Sequence, residues 1–225
     1  MPSISSVYLS LYNAVATSVW SAILILGLFD FIAAGAPFVA EDVKTSNYYI
    51  SHVYSGDFPH AVLVYVQLVN SAFDILHSAI GLVKSPLLTV LLQTLARSII
   101  TIGICYKLPE APANWNLPAF TAITVAWSLA EIIRYGFYAV KLACDEVPSW
   151  MFWLRYNMFI LLYPVGLVAE STVVISALKY TMGSSYFFFL LFALSMYLPG
   201  FFTLYGHMFS QRRKVYGLGI KQKTE

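Results

Sequence analysis

The chain has 225 residues, 59% of them hydrophobic and only 11% charged, with a net charge of +2 and a mean hydropathy of +0.72. A soluble globular domain carries roughly 25% charged residues, so these figures exclude one and imply an integral membrane protein. No nucleic acid is expected among its partners.

Roughly 20 consecutive apolar residues cross the hydrocarbon layer of a bilayer. Hydropathy predicts about six such spans, at 8–34, 61–83, 86–106, 117–142, 151–178 and 185–207. The expected fold is all-α, a polytopic membrane bundle forming one domain over 1–225. The first run lacks a basic leader and is too long for a cleaved signal peptide, so it reads as a retained span. A basic tail, 208–225, carries Arg212, Arg213, Lys214, Lys221 and Lys223. The excess of basic residues on cytoplasmic segments puts this tail in the cytosol, and an even number of spans puts Met1 there too. The 35–60 loop, with Glu41, Asp42 and Asp57 against Lys44, is then luminal. The end, Lys221-Gln222-Lys223-Thr224-Glu225, is similar to the dilysine signal that returns membrane proteins to the endoplasmic reticulum. A basic tail resting on anionic lipid is the alternative. Cys105 falls at the predicted luminal end of the third span and Cys144 in a cytosolic loop, so they are not expected to pair. Trp20, Trp115, Trp150 and Trp153 are expected to anchor at the membrane interfaces.

Polar residues inside the spans come next. Asp30 lies near the end of the first span and asks for no special role. The second span carries Asn70, Asp74, His77, Ser78 and Gly81 on one stripe, and the third carries Gln93, Arg97 and Thr101 at four-residue intervals. The fourth brings Trp127, Glu131, Arg134, Tyr135 and Tyr138; the fifth enters with Arg155, Tyr156 and Asn157. Three deep acids (Asp74, Glu131, Glu170) match three bases (Arg97, Arg134, Arg155), which predicts a paired interior network turned away from lipid. For Asp74, Arg97 and Glu131, structural support and substrate contact are both open. Glu131 and Arg134, three apart, are placed to neutralise each other. His77 is either a base oriented by Asp74 or a quietly packed side chain, and Arg155 either meets a ligand or snorkels to the interface.

The stretch Tyr163-Pro164-Val165-Gly166-Leu167-Val168-Ala169-Glu170 stands apart. An ionisable group at membrane depth is costly, and is a functional hypothesis by default. Tyr163 and Glu170 are two helical turns apart, on one face and about 10 Å along the axis. Pro164 cannot donate to the Ile160 carbonyl, so a kink is expected at the tyrosine. Within a turn of Glu170 there is no cation. A phenol and a carboxyl sharing one dry gap suit acid–base catalysis. Other chemistry finds no motif: no metal-ligand spacing, no glycine-rich phosphate cradle, no G-x-S-x-G elbow. Neither cysteine has an arginine six residues on, as a cysteine-phosphatase loop needs. No metal or cofactor is expected. The run from His77 to Pro86 reads as a helix end and tight turn. A proton-coupled transporter built on Glu170, Glu131 and Asp74 would want internal repeats, and none is convincing. A non-catalytic scaffold for lipid enzymes would leave the Tyr/Glu pair without a purpose.

Several segments together carry a resemblance: Leu11-Tyr12-Asn13; Asp74-Ile75-Leu76-His77-Ser78 leading to Gly81-Leu82-Val83-Lys84-Ser85-Pro86; Trp127-Ser128; Glu131-Ile132-Ile133-Arg134-Tyr135; Trp153-Leu154-Arg155-Tyr156-Asn157; Leu162-Tyr163-Pro164-Val165-Gly166 with Glu170; and Tyr197-Leu198-Pro199-Gly200. Nearly the whole chain, in order, resembles the very-long-chain (3R)-3-hydroxyacyl-CoA dehydratases, also called protein-tyrosine-phosphatase-like proteins. The resemblance implies a six-span enzyme of the endoplasmic reticulum. Its reaction would be the third step of fatty-acid elongation, removal of water from a 3-hydroxyacyl-CoA to give the trans-2-enoyl-CoA. It implies Tyr163 and Glu170 as the catalytic pair, without deciding which is acid and which base. Arg134, Tyr135, Glu131, Arg155, Asn157, Asp74, His77 and Arg97 fall to substrate binding or support. It also implies partners: the acyl-CoA substrate, membrane lipid, the condensing enzyme and the two reductases of elongation. Two positions depart from the family pattern, which usually has Glu where Asp74 stands and Ser where Ala96 stands. The CoA head is expected to lean on Arg155 or Lys84, with the acyl chain in an apolar groove between helices.

Overall fold

A computed structural model describes residues 3–33, 58–83, 85–144 and 146–221, with side chains as far as Gly217. Lys84, the acidic loop carrying Glu41, Asp42, Lys44 and Asp57, and the final four residues of the dilysine-like end lie outside the described residues. Seven α-helices appear: α1 (Ile4–Ala33), α2 (Ala61–Ala79), α3 (Leu87–Ser98), α4 (Leu117–Ala143), α5 (Ser149–Asn157), α6 (Phe159–Tyr180) and α7 (Ser185–Lys221). They make six stretches long and apolar enough to cross a membrane, and no strand occurs among the described residues. The bundle is all-α, with spans where hydropathy predicts them to within several residues.

Each boundary has a local cause. Past α2, Gly81 takes φ 72°, and the N–H groups of Leu82 and Val83 turn back onto the His77 carbonyl at 2.9 and 3.2 Å. Glycine adopts this left-handed conformation at little cost. Ser78 Oγ donates to the Ser85 carbonyl at 2.9 Å, which closes the turn just before Pro86 opens α3. At the start of α4, Asn116 accepts the Ala119 N–H at 3.2 Å and a proline occupies the first turn, a capped start that needs no N–H at that position.

α4 is the central helix, with α1 on one flank and α6 on another. The dry core gathers Trp20 and Ile23 of α1, Phe120 and Ile123 of α4, and Val173 and Val174 of α6. Trp20 is a correction to the sequence reading. It is fully buried, and its indole N–H donates to Asn70 Oδ1 at 3.1 Å. A partner on α2 lets the ring sit inside the bundle, where the sequence expects an interface anchor. Trp150 and Trp153, by contrast, are exposed. Cys105 is buried, Cys144 is exposed, and both are free.

Three features were not foreseen. First, the third span changes its winding at Ile99 and continues as a π-helix, Ile99–Tyr106. Tyr186 of α7 lodges against it at Gly103, donating to the Gly103 carbonyl at 2.9 Å; a Cβ there would stand 3.1 Å from the phenol oxygen. Second, the fifth span breaks at Met158, between α5 and α6, while α6 runs through Pro164. The proline leaves the Ile160 carbonyl without its helical donor, and Tyr205 of α7 supplies one, its hydroxyl donating at 3.2 Å. Third, α7 does not stop near His207 but runs on to Lys221, so the basic tail begins as helix.

Candidate active site in the bundle

A cavity of about 710 Å³ lies among α2, α3, α4, α6 and α7. One end is edged by Lys141, Arg155, His207 and Gln211, at the end of the bundle where α7 carries Arg212, Arg213 and Lys214. Deeper, Tyr163, Gly166 and Glu170 form the α6 wall, facing Trp127 of α4 and Tyr197 of α7. The two-turn spacing of Tyr163 and Glu170 thus brings both to one cavity.

Their surroundings differ. Glu170 Oε1 accepts the Trp127 indole N–H at 2.8 Å. Tyr197 of α7 lines the cavity beside this carboxyl, and its hydroxyl stands 3.4 Å from the Ala96 carbonyl of α3. Glu170 has no ion-pair partner among the described residues. Tyr163 is held by its ring alone, stacked between α6 and α7 on Phe201 (centroids 5.3 Å apart) and Tyr205 (5.8 Å). Its hydroxyl has no hydrogen-bond partner among the described residues and stays available to a ligand. Gly166, one turn from each, adds no bulk between them; even a Cβ there would be 3.8 Å from Glu170 Oε1.

A polar network forms the opposite wall. Arg97 Nη1 meets Glu131 Oε1 at 2.5 Å and Gln67 Oε1 at 2.9 Å. Arg134 contacts Glu131 Oε2 at 2.6 Å through Nη2, and Asp74 Oδ2 at 2.7 Å. Tyr135 donates to Asp74 at 3.2 Å, and its hydroxyl lies 3.4 Å from that of Tyr12 on α1. Two arginines and two carboxylates balance, so this part of the expected network is paired and neutral, as buried charges must be. Arg155 and Glu170 stay outside it. The Arg155 guanidinium instead lies 5.6 Å from the Tyr138 ring centroid, on the cavity rim. Arg97 also lies over the Trp127 ring, 5.0 Å from its centroid, which links the network to the indole that holds Glu170.

Of the ten residues singled out in the sequence, nine line this cavity: Asp74, His77, Arg97, Glu131, Arg134, Tyr135, Arg155, Tyr163 and Glu170. Asn157 does not. Its amide donates to Tyr216 at 2.8 Å and accepts from Arg212 at 3.0 Å, clamping the extended end of α7 onto α5. His77 bonds Tyr8 at 2.9 Å and packs edge-on to Tyr12; Asp74 bonds Arg134 and Tyr135 rather than His77. Trp127 and Tyr197 appear in the sequence motifs without a role, and Gln67 not at all. Their partners sit in other spans, 43 residues away for Trp127, and spacing along one helix carries no sign of them.

Residues 68–218 match the family described as protein tyrosine phosphatase-like protein, PTPLA. The chain belongs to this family. The PTPLA match includes all ten of those residues. Similar curated proteins span almost the same length. A probable very-long-chain (3R)-3-hydroxyacyl-CoA dehydratase of Schizosaccharomyces pombe is 32% identical over 96% of each chain. The dehydratase PASTICCINO 2 of Arabidopsis thaliana is 31% identical over 92% of each. Very-long-chain (3R)-3-hydroxyacyl-CoA dehydratase 2 of Homo sapiens is 30% identical over 94% of this chain and 82% of that one. No solved structure matches the chain.

Proposed function

We propose that this PTPLA protein is a hydro-lyase that removes water from a very-long-chain (3R)-3-hydroxyacyl-CoA, giving the trans-2-enoyl-CoA. The observation that carries the reading is the common cavity of Tyr163 and Glu170, one with a hydroxyl unpartnered among the described residues and the other a carboxyl held by the Trp127 N–H. The names of the relatives give the substrate class. Dehydration breaks a C–H bond alpha to the thioester and the C–O bond at the beta carbon, and forms the double bond between them. Glu170 takes the alpha proton, with the Trp127 N–H holding its carboxyl in place. Tyr163 gives its proton to the departing hydroxyl, which leaves as water. The proton on Glu170 then returns to the Tyr163 phenolate through water in the cavity. The neutral Arg97–Glu131–Arg134–Asp74 network fixes the facing wall and leaves Glu170 to its own chemistry.

The basic rim receives the CoA head, with Arg155 and Lys141 as its phosphate partners. By the same distribution of basic residues this end is cytosolic, as are both termini. We place the protein in the endoplasmic reticulum membrane, acting in the third step of elongation beside a condensing enzyme and two reductases. Positioned acid–base groups contribute about 10²–10⁴-fold, so Glu170→Gln and Tyr163→Phe should each lower the rate of enoyl-CoA formation by purified protein within that range. Near-normal turnover by either variant would sink the assignment.

A further inference from the structure

The polar rim accounts for one end of an acyl-CoA, and the catalytic pair for its middle. The acyl tail needs a path, and the cavity does not continue below Glu170. One turn deeper, Ile100, Ile123, Val173 and Leu190 are completely buried against one another and none of them lines the cavity. The floor is closed core, packed at the density of a protein interior.

The side is different. Four residues that line the cavity are also exposed large apolar side chains: Leu142 (37% exposed) at the polar mouth, and, away from it, Leu92 (39%) and Leu95 (63%) of α3 and Met196 (47%) of α7. Leu95 and Met196, on neighbouring helices, mark where the cavity wall is thinnest. α3 buries none of its side chains, so it stands away from the core along this edge. On α7, one turn from Met196, Gly200 lines the cavity, and a Cβ there would meet nothing within 4 Å. The Tyr197 hydroxyl, 3.4 Å from the Ala96 carbonyl, bridges α3 and α7 beside this stretch of wall and forms its sill. Tyr197 and Glu170 line the same part of the cavity, so the opening lies near the depth of the catalytic carboxyl.

We propose that the acyl tail of the substrate leaves the cavity sideways between α3 and α7 and lies in the surrounding lipid, with Gly200 holding the gap open. The inference rests on the dehydratase reading above. With the thioester at Tyr163 and Glu170, the first methylenes pass over Tyr197 and between Leu95 and Met196. Methylenes beyond the gap exchange one hydrocarbon environment for another. The enzyme therefore accepts tails of any length past that point, with no closed end to measure them. A bulky side chain at Gly200 plugs the gap and turns the open path into a short pocket.

The test compares 3-hydroxyoctanoyl-CoA, whose tail is short, with 3-hydroxyeicosanoyl-CoA, on the purified full chain in lipid nanodiscs. Gly200→Phe should lower kcat/KM for the long substrate by about tenfold or more relative to the short one, the scale on which pockets discriminate by fit. Gly206→Phe, an exposed position on α7 outside the cavity, should leave the ratio of the two unchanged. An unmoved ratio in Gly200→Phe overturns the lateral path. Should that variant fail to fold, the wild-type protein decides with a 3-hydroxyacyl-CoA carrying a diazirine at the far end of its tail. Labelling of Leu92, Leu95, Met196 or lipid supports the path, and labelling confined to α1, α2 or the closed core overturns it. If the wild type dehydrates neither substrate, the function itself is wrong; if it dehydrates both and only the ratio fails, the path alone is wrong.

Discussion

At the scale of single residues, the site depends on how two side chains on one face of α6 are treated differently. Tyr163 is gripped by ring stacking with its hydroxyl left open, whereas Glu170 is gripped by its carboxyl oxygens. Trp127 is the clearest holder, because its N–H reaches Glu170 while its ring lies beneath Arg97. Trp127→Phe keeps an aromatic platform and removes only the donor. A hydrogen bond to a charged group contributes about 1.5–3 kcal/mol, so kcat should fall roughly 10- to 150-fold, with KM little changed. A variant that loses only substrate affinity would show the indole to be a binding group. Here the sequence was informative about chemistry and silent about partners. The cost of an acid in hydrocarbon singled out Glu170, and a two-turn spacing paired it with Tyr163. Trp127 and Tyr197 went without a role because their meaning lies in contacts between spans. Trp20 was misplaced for the same reason: an indole reads as an interface anchor until Asn70 is seen to satisfy it.

At the scale of elements, hydropathy located all six spans, since length and apolarity are what the bilayer demands of each segment. Interruptions within spans were less legible. Pro164 points to a kink; α6 continues as helix through it, with Tyr205 donating to the Ile160 carbonyl that the proline leaves without its helical donor. A separate break falls at Met158. The π-helix after Ser98 has no signature in composition; it is maintained by Tyr186 against Gly103, a contact from α7. The ion network that joins α2, α3 and α4 is an element-level device. Glu131 sits between Arg97 and Arg134, so Glu131→Ala leaves both guanidinium groups without their shared carboxylate. Breaking a buried ion pair from one side costs about 3–5 kcal/mol. Thermal unfolding in detergent should show a large loss of stability for Glu131→Ala, alongside any loss of activity. A variant as stable as the wild type would mean the network is not what ties these helices together.

At the scale of the whole molecule, the bundle has a polar mouth at one end, a closed core at the other, and Tyr163 and Glu170 between. Antiparallel alternation of the spans brings Lys141, Arg155 and His207 to the end where the basic stretch of α7 emerges. The inferred orientation makes that end cytosolic, where a soluble CoA head would arrive. Cys144, exposed just past α4, reports on it directly, and buried Cys105 provides no competing signal. In sealed microsomes with the cytosolic face outward, a membrane-impermeant maleimide should label Cys144 without detergent. Labelling that appears only after the membrane is opened would reverse the orientation and put the mouth on the wrong side for its substrate.

The account stands or falls on Tyr163 and Glu170 working as one unit on one substrate. Groups that act together are strongly non-additive when removed, and a double-mutant cycle on enoyl-CoA formation measures this. The Tyr163→Phe/Glu170→Gln protein should be no more than a few-fold slower than the worse single variant, the common behaviour of interdependent catalytic groups. Losses that multiply, each variant contributing its full factor independently of the other, would contradict a shared step.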